Sequence, residues 1–232
     1  MSAKPLKPLM SLPAGHPRLR RRAYSDAELI ADGIVHAAAI VAGVIAFSVL
    51  FERVATHGRL SDDLAIAVYA ACFFMLFGFS CAYNMTPPSP AKWLLRRFDH
   101  ASIYLMIGGT YTALLSRIPA SWWAAALTAS VWSGALAGVA LKVFLPGRLD
   151  RVAIGVYLAL GWSAIVAIKP LVAALPAETL ALVVLGGVIY SVGVGFHLWH
   201  SLKFQNAIWH ACVAVAAACH FAGILHALGR GA

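Results

Sequence analysis

The stretch ELIADGIVHAAAIVAGVIAFSVLF, Glu28–Phe51, decides how the whole chain is to be read. After Asp32 and His36 it reaches Ser48 without another polar side chain, and no charge falls between Asp32 and Glu52. A helix needs about 20 mostly apolar residues to cross a hydrocarbon core of about 30 Å. Lipid is therefore the expected surrounding of this segment. Six further segments pass the same test: Leu64–Asn84, Phe98–Ser116, Trp122–Phe144, Arg151–Ile168, Thr179–His200 and Asn206–Leu228. Turn chemistry separates them. Pro87, Pro88 and Pro90 stop the second helix, Pro146 and Gly147 the fourth, and Lys169–Pro170 the fifth. No segment alternates apolar and polar residues as the strands of a membrane β-barrel do. The expected fold is all-α, an integral membrane bundle of seven transmembrane helices over residues 26–232. A basic, disordered tail at 1–25 precedes it.

Composition supports this reading. Of the 232 residues, 61% are hydrophobic and 12% charged, whereas a soluble domain has about 25% charged residues. So few charges cannot coat a water-facing surface. The formal net charge of +9 would suit nucleic acid only if the basic residues gathered on one exposed face. They lie between apolar stretches instead, so membrane lipids are the expected partners and nucleic acid is not. Cys72, Cys81, Cys212 and Cys219 all fall inside apolar segments without a C-x-x-C pair, so no disulfide framework or thiolate zinc knuckle is expected. The first 26 residues lack the hydrophobic run of a signal peptide. Few charges, short loops and no soluble domain point to a bacterial inner (plasma) membrane.

The loop charges set the orientation. Six Lys and Arg precede the first span, and seven more follow the second, fourth and sixth, which makes 13 on one side. Arg53, Arg59, Arg117, Lys169 and Arg230 are the 5 on the other. Cytoplasmic loops carry the excess, so the N-terminus is expected in the cytoplasm and the C-terminus outside.

Topology then gathers the polar residues. Asp32 and His36 lie four apart near the start of span one and share a helix face. Ser80 and Asn84 do the same at the end of span two. Asp99 and His100 open span three, and Asn206 and His210 open span seven. Four pairs thus arrive at one depth in the inner leaflet, where ionisable groups usually face the bundle interior or a wet cavity. His and Asp are ordinary zinc ligands and Asn is not, so from residues alone a metal would draw on His210, His36, His100, Asp32 and Asp99. His220 lies ten residues beyond His210, about 15 Å along the helix and some 80° around it, so the two do not share a ligand sphere.

Several of these motifs resemble the hemolysin III family, within the wider progestin and adipoQ receptor group. They are DGIVH (Asp32–His36), FSCAYNM (Phe79–Met85), FDHASIYLMIGGTYT (Phe98–Thr112), YLALGW (Tyr157–Trp162), GGVIYSVG (Gly186–Gly193) and NAIWHACVAVAAACHF (Asn206–Phe221). The resemblance runs in order through all seven spans. It implies a seven-helix bundle with an intramembrane zinc site near the cytoplasmic face, grouped with alkaline ceramidases as membrane hydrolases. The family pattern is Ser-x-x-x-His on span two, Asp at span three and His-x-x-x-His on span seven. Here Ser80, Asp99 and His210 match, while Asn84 and Asn206 stand where histidines are implied. An amide oxygen suits zinc poorly, so zinc is expected to bind far more weakly than at a three-histidine site.

Three readings follow. The first is a membrane regulator, sensor or lytic protein with a metal-free polar cavity lined by Asp32, His36, Asn84, His100 and Asn206. The second is a zinc-dependent hydrolase of lipid amides, with Asp99 as general base, Ser80 positioning water or the oxyanion, and His210 and Asp99 as metal ligands. The third, an ion or proton pathway, needs polar residues across the whole bilayer.

Overall fold

The computed structural model describes residues 24–57, 60–145 and 150–229. Of the tail expected at 1–25, only Tyr24 and Ser25 fall within the described residues. Among those residues the chain forms eight α-helices: α1 Asp26–His57, α2 Leu60–Met85, α3 Pro90–Leu115, α4 Trp122–Phe144, α5 Asp150–Gly161, α6 Ile168–Ala174, α7 Ala177–Leu198 and α8 Gln205–Gly229. A 3-10 helix, Ser163–Ala167, joins α5 to α6.

Local chemistry starts these helices where they start. Ser25 and Glu28 form a capping box: Glu28 accepts from the Ser25 amide at 3.0 Å, and Ser25 Oγ accepts from the Glu28 amide at 3.4 Å. Ser89 accepts from the Lys92 amide at 3.2 Å, with Pro90 as the first residue of α3. Pro90 therefore opens the third helix, eight residues ahead of the expected Phe98, because a proline at the first helical position loses no bond.

Among the described residues, six segments are long and apolar enough to cross a membrane: Asp26–Thr56, Asp62–Met85, Trp122–Phe144, Val152–Ala174, Ala177–Leu198 and Gln205–Leu228. The third helix is the exception, with Lys92, Arg96, Arg97 and Asp99 in its first turns. It packs against α2 and α4 along its length and touches α5 and α8. Half of it is buried, and protein rather than lipid shields its polar groups. The outer surface shows the opposite pattern. On α1, Ile30, Ile34 and Ile45 are 62%, 63% and 63% exposed, an apolar stripe far larger than a water-soluble protein presents.

The fifth segment does not end at Lys169–Pro170 as expected. Its helix breaks earlier, at Gly161–Trp162, and resumes through Pro170 to Ala174. Pro170 is the third residue of α6, so its missing N–H removes no bond from that helix. Broken backbone at membrane depth survives only where protein satisfies it. Tyr111 of α3 does this. Its hydroxyl donates to the Gly161 carbonyl at 3.0 Å and accepts from the Ala164 amide at 2.8 Å.

Apolar burial cannot hold helices together in lipid, so close approach and internal hydrogen bonds must. Gly138 lets the Tyr104 ring lie against α4, since a Cβ there would meet the ring at 2.4 Å. The Tyr104 hydroxyl reaches the Ala153 carbonyl of α5 at 3.1 Å. Gly186 likewise admits His220, whose Nε2 lies 3.0 Å from the Val183 carbonyl. His220 is thus a packing residue between α7 and α8.

Candidate functional site

The starts of α1, α3 and α8 and the end of α2 meet at one end of the bundle. Asp32 and His36, one turn apart on α1, are 1% and 0% exposed. His36 Nδ1 lies 2.8 Å from the Asp32 backbone carbonyl. A carbonyl oxygen only accepts, so Nδ1 carries the proton and Nε2 is left with its lone pair. From α8, His210 places Nδ1 2.5 Å from Asp32 Oδ1. Its ring centroid lies 4.4 Å from that of His36. His210 Nε2 is 3.2 Å from Ser80 Oγ of α2.

The two asparagines continue the chain of bonds. Asn84 Nδ2 donates to the Ser80 carbonyl at 2.9 Å and to Ser80 Oγ at 3.4 Å. Asn206 Nδ2 donates to Asn84 Oδ1 at 3.2 Å, and the Tyr24 hydroxyl donates to Asn206 Oδ1 at 3.2 Å. The Tyr24, Asn206 and Asn84 donors all point inward, toward Ser80. Asp99 of α3 lies against Ser80 and feels the charges of His210, Arg96 and Asp32. The Ser80 hydroxyl has one proton to share between Asp99 and His210.

Asp32, His36, Ser80, Asn84, Asp99, Asn206 and His210 thus come together as topology implied. His100 stands at the edge of this group, its Nε2 3.8 Å from Asp99 Oδ2. Its ring stands edge-on to Tyr83, with centroids 6.4 Å apart, and faces Arg96, Lys142, Asp150 and His197. That neighbouring cluster joins three helices: Asp150 accepts from Arg96 at 2.9 Å and from Lys142 at 2.8 Å. Burial works to raise the Asp150 pKa, but the Lys142 hydrogen bond and the charges of Arg96 and Lys142 prevail and hold the carboxyl well below its usual range.

The resemblance implies zinc ligands at positions 84 and 206, which are asparagines here. Asn84 bonds to Ser80 and to Asn206, and Asn206 also accepts from Tyr24. A different set lies close enough together to hold an ion. One ligand atom from each of Asp32, His36 and His210 lies within 4.8 Å of the others, and all three residues are buried. Asp99, expected beside His210 as a ligand, lies on the Ser80 side and outside this group.

Glu28 was not among the expected site residues, yet it ties the site together. Besides capping α1, its carboxylate accepts from the Phe204 amide at 2.9 Å, just ahead of α8. Phe204, whose amide makes that bond, is in a left-handed conformation, φ 59°. The capping-box spacing Ser25-x-x-Glu28 was a readable signal for the helix start, but its second partner 176 residues away was not.

Comparison with known proteins covers the same region. Residues 28–221 match the family described as haemolysin-III related. The chain is similar to Hemolysin-3 of Bacillus cereus, 35% identical over 201 residues, which cover 85% of this chain and 90% of that protein. It is also similar to the Hemolysin-3 homolog of Bacillus subtilis (strain 168), 33% identical over 202 residues, or 87% of this chain and 95% of the relative. With the match running from the capping glutamate through the polar centre and on to Phe221, the chain belongs to the haemolysin III family.

Proposed function

We propose that this protein crosses the bacterial inner (plasma) membrane seven times, with its N-terminus in the cytoplasm, and acts in membrane regulation, sensing or lysis rather than as a three-histidine zinc hydrolase. The buried polar centre is its working part, and membrane lipids supply its ligand. The observation that carries this reading is the Asn206–Asn84 amide pair, 3.2 Å apart, in place of two imidazoles. Two amides bonded to each other stabilise the bundle but lend no Lewis-basic nitrogen to a metal.

One arrangement favours a second reading, hydrolysis of a lipid amide. Ser80 lies between His210 and Asp99, within reach of a proton acceptor on each side, as general-base chemistry requires. The test is the full chain reconstituted in phospholipid vesicles and supplied with a fluorescent short-chain ceramide. No release of fatty acid above that of empty vesicles is the expected result. Turnover that is lost in Asp99→Ala and stopped by a chelator would overturn the non-hydrolytic reading and establish the second.

A further inference from the structure

Two atoms in the polar centre have no partner. Asp32 Oδ2 and His36 Nε2 are both buried and make no hydrogen bond. A buried polar atom left unsatisfied costs about 1–3 kcal/mol, and here two lie one helical turn apart, both able to donate an electron pair. Two acceptors cannot satisfy each other. A cation or a water donating to each would satisfy both at once, and the geometry of the two rings favours the cation.

The surroundings are those of a metal site. An imidazole that ligates a metal usually gives its other nitrogen to an outer oxygen, which fixes ring and tautomer. Both rings have such a partner: His36 Nδ1 lies 2.8 Å from the Asp32 carbonyl and His210 Nε2 3.2 Å from Ser80 Oγ. The nitrogens that remain, His36 Nε2 and His210 Nδ1, belong to rings whose centroids are 4.4 Å apart. His210 Nδ1 is already 2.5 Å from the Asp32 carboxylate. Two imidazoles and one carboxylate select a first-row divalent ion of the zinc or ferrous type over calcium or magnesium, which prefer all-oxygen sites.

We propose that Asp32, His36 and His210 form a divalent transition-metal site joining the first and last membrane helices, displaced from the position at which the family's pattern would place zinc. The two asparagines abandon one ligand set, and α1 supplies another around the retained His210. This goes beyond the functional reading above and needs no turnover for its test.

The experiment is a cobalt(II) titration of the chelator-stripped, full-length protein in detergent, followed by visible absorption, with zinc as competitor. One cobalt per chain is expected, with the ligand-field band of a nitrogen–oxygen site. Asp32→Asn and His36→Gln should weaken binding at least tenfold, and His226→Gln should leave it unchanged. In His36→Cys a thiolate-to-cobalt charge-transfer band should appear that the wild type, with its four native cysteines, lacks. That gain is one which a purely structural histidine cannot produce. No saturable band in the folded wild-type protein would overturn the proposal. So would bound cobalt in His36→Cys without the charge-transfer band, or wild-type affinity in both Asp32→Asn and His36→Gln.

Discussion

At the scale of single residues, the Asp32–His210 contact is the most demanding feature of the molecule. Leaving a buried polar group without its hydrogen-bond partner typically costs about 1–3 kcal/mol, and more for a carboxylate. His210→Ala should therefore lower stability by about that amount in denaturant unfolding of the detergent-solubilised protein. Adding Asp32→Asn to it should recover part of the loss, since the stranded charge is then gone. The spacing of Asp32 and His36 was legible in the sequence, because four residues is one turn of any helix. Their pairing with His210, 178 residues away, was not. Topology fixes the depth of a side chain, whereas the rotation of α8 about its axis depends on contacts such as the Glu28–Phe204 bond. For the same reason His100 turned out to face the Arg96–Lys142–Asp150 cluster, although its depth matched that of Asp99.

At the scale of helices, small residues sort by what they touch. A Cβ at Gly138 would strike the rigid, fully buried Tyr104 ring at 2.4 Å, while at Gly134 it would meet the tip of Leu160, a flexible chain, at 2.7 Å. Gly138→Ala should thus cost about 1–3 kcal/mol through overpacking, and Gly134→Ala clearly less. Comparing the two melting temperatures checks this. Where α3, α4 and α5 meet, the sign for Asp150 follows from its lowered pKa. Its carboxylate stabilises the fold fully above the unfolded value of about 3.9. That contribution is lost as pH falls below this value toward the lower folded one. Stability measured from pH 6 down to about 3 should drop more steeply for the wild type than for Asp150→Asn. Six of the helices were legible because lipid demands long apolar runs. The break in the fifth was not, since the group that makes it tolerable, Tyr111, lies on another helix.

At the scale of the whole molecule, the proposed orientation places the termini on opposite sides. An alkaline phosphatase domain fused after Ala232 should be active, whereas the same domain fused to the loop after α2 should be silent. The reverse pattern would invert the topology. Tyr111→Phe tests the bundle as a unit. It removes the hydroxyl that bonds Leu160, Gly161, Ser163 and Ala164 of the broken fifth segment and should cost about 1–3 kcal/mol, read as lowered melting temperature and increased proteolysis between α5 and α6. The Tyr111 contacts also bear on how the protein is made. The third helix is too polar to prefer lipid on its own, and the fifth segment has backbone groups that lipid cannot satisfy. The fifth segment becomes acceptable to the bilayer only beside α3. Entering alone, it would carry the Gly161 carbonyl and the Ala164 amide unsatisfied into lipid, so it is expected to enter against an α3 already in place.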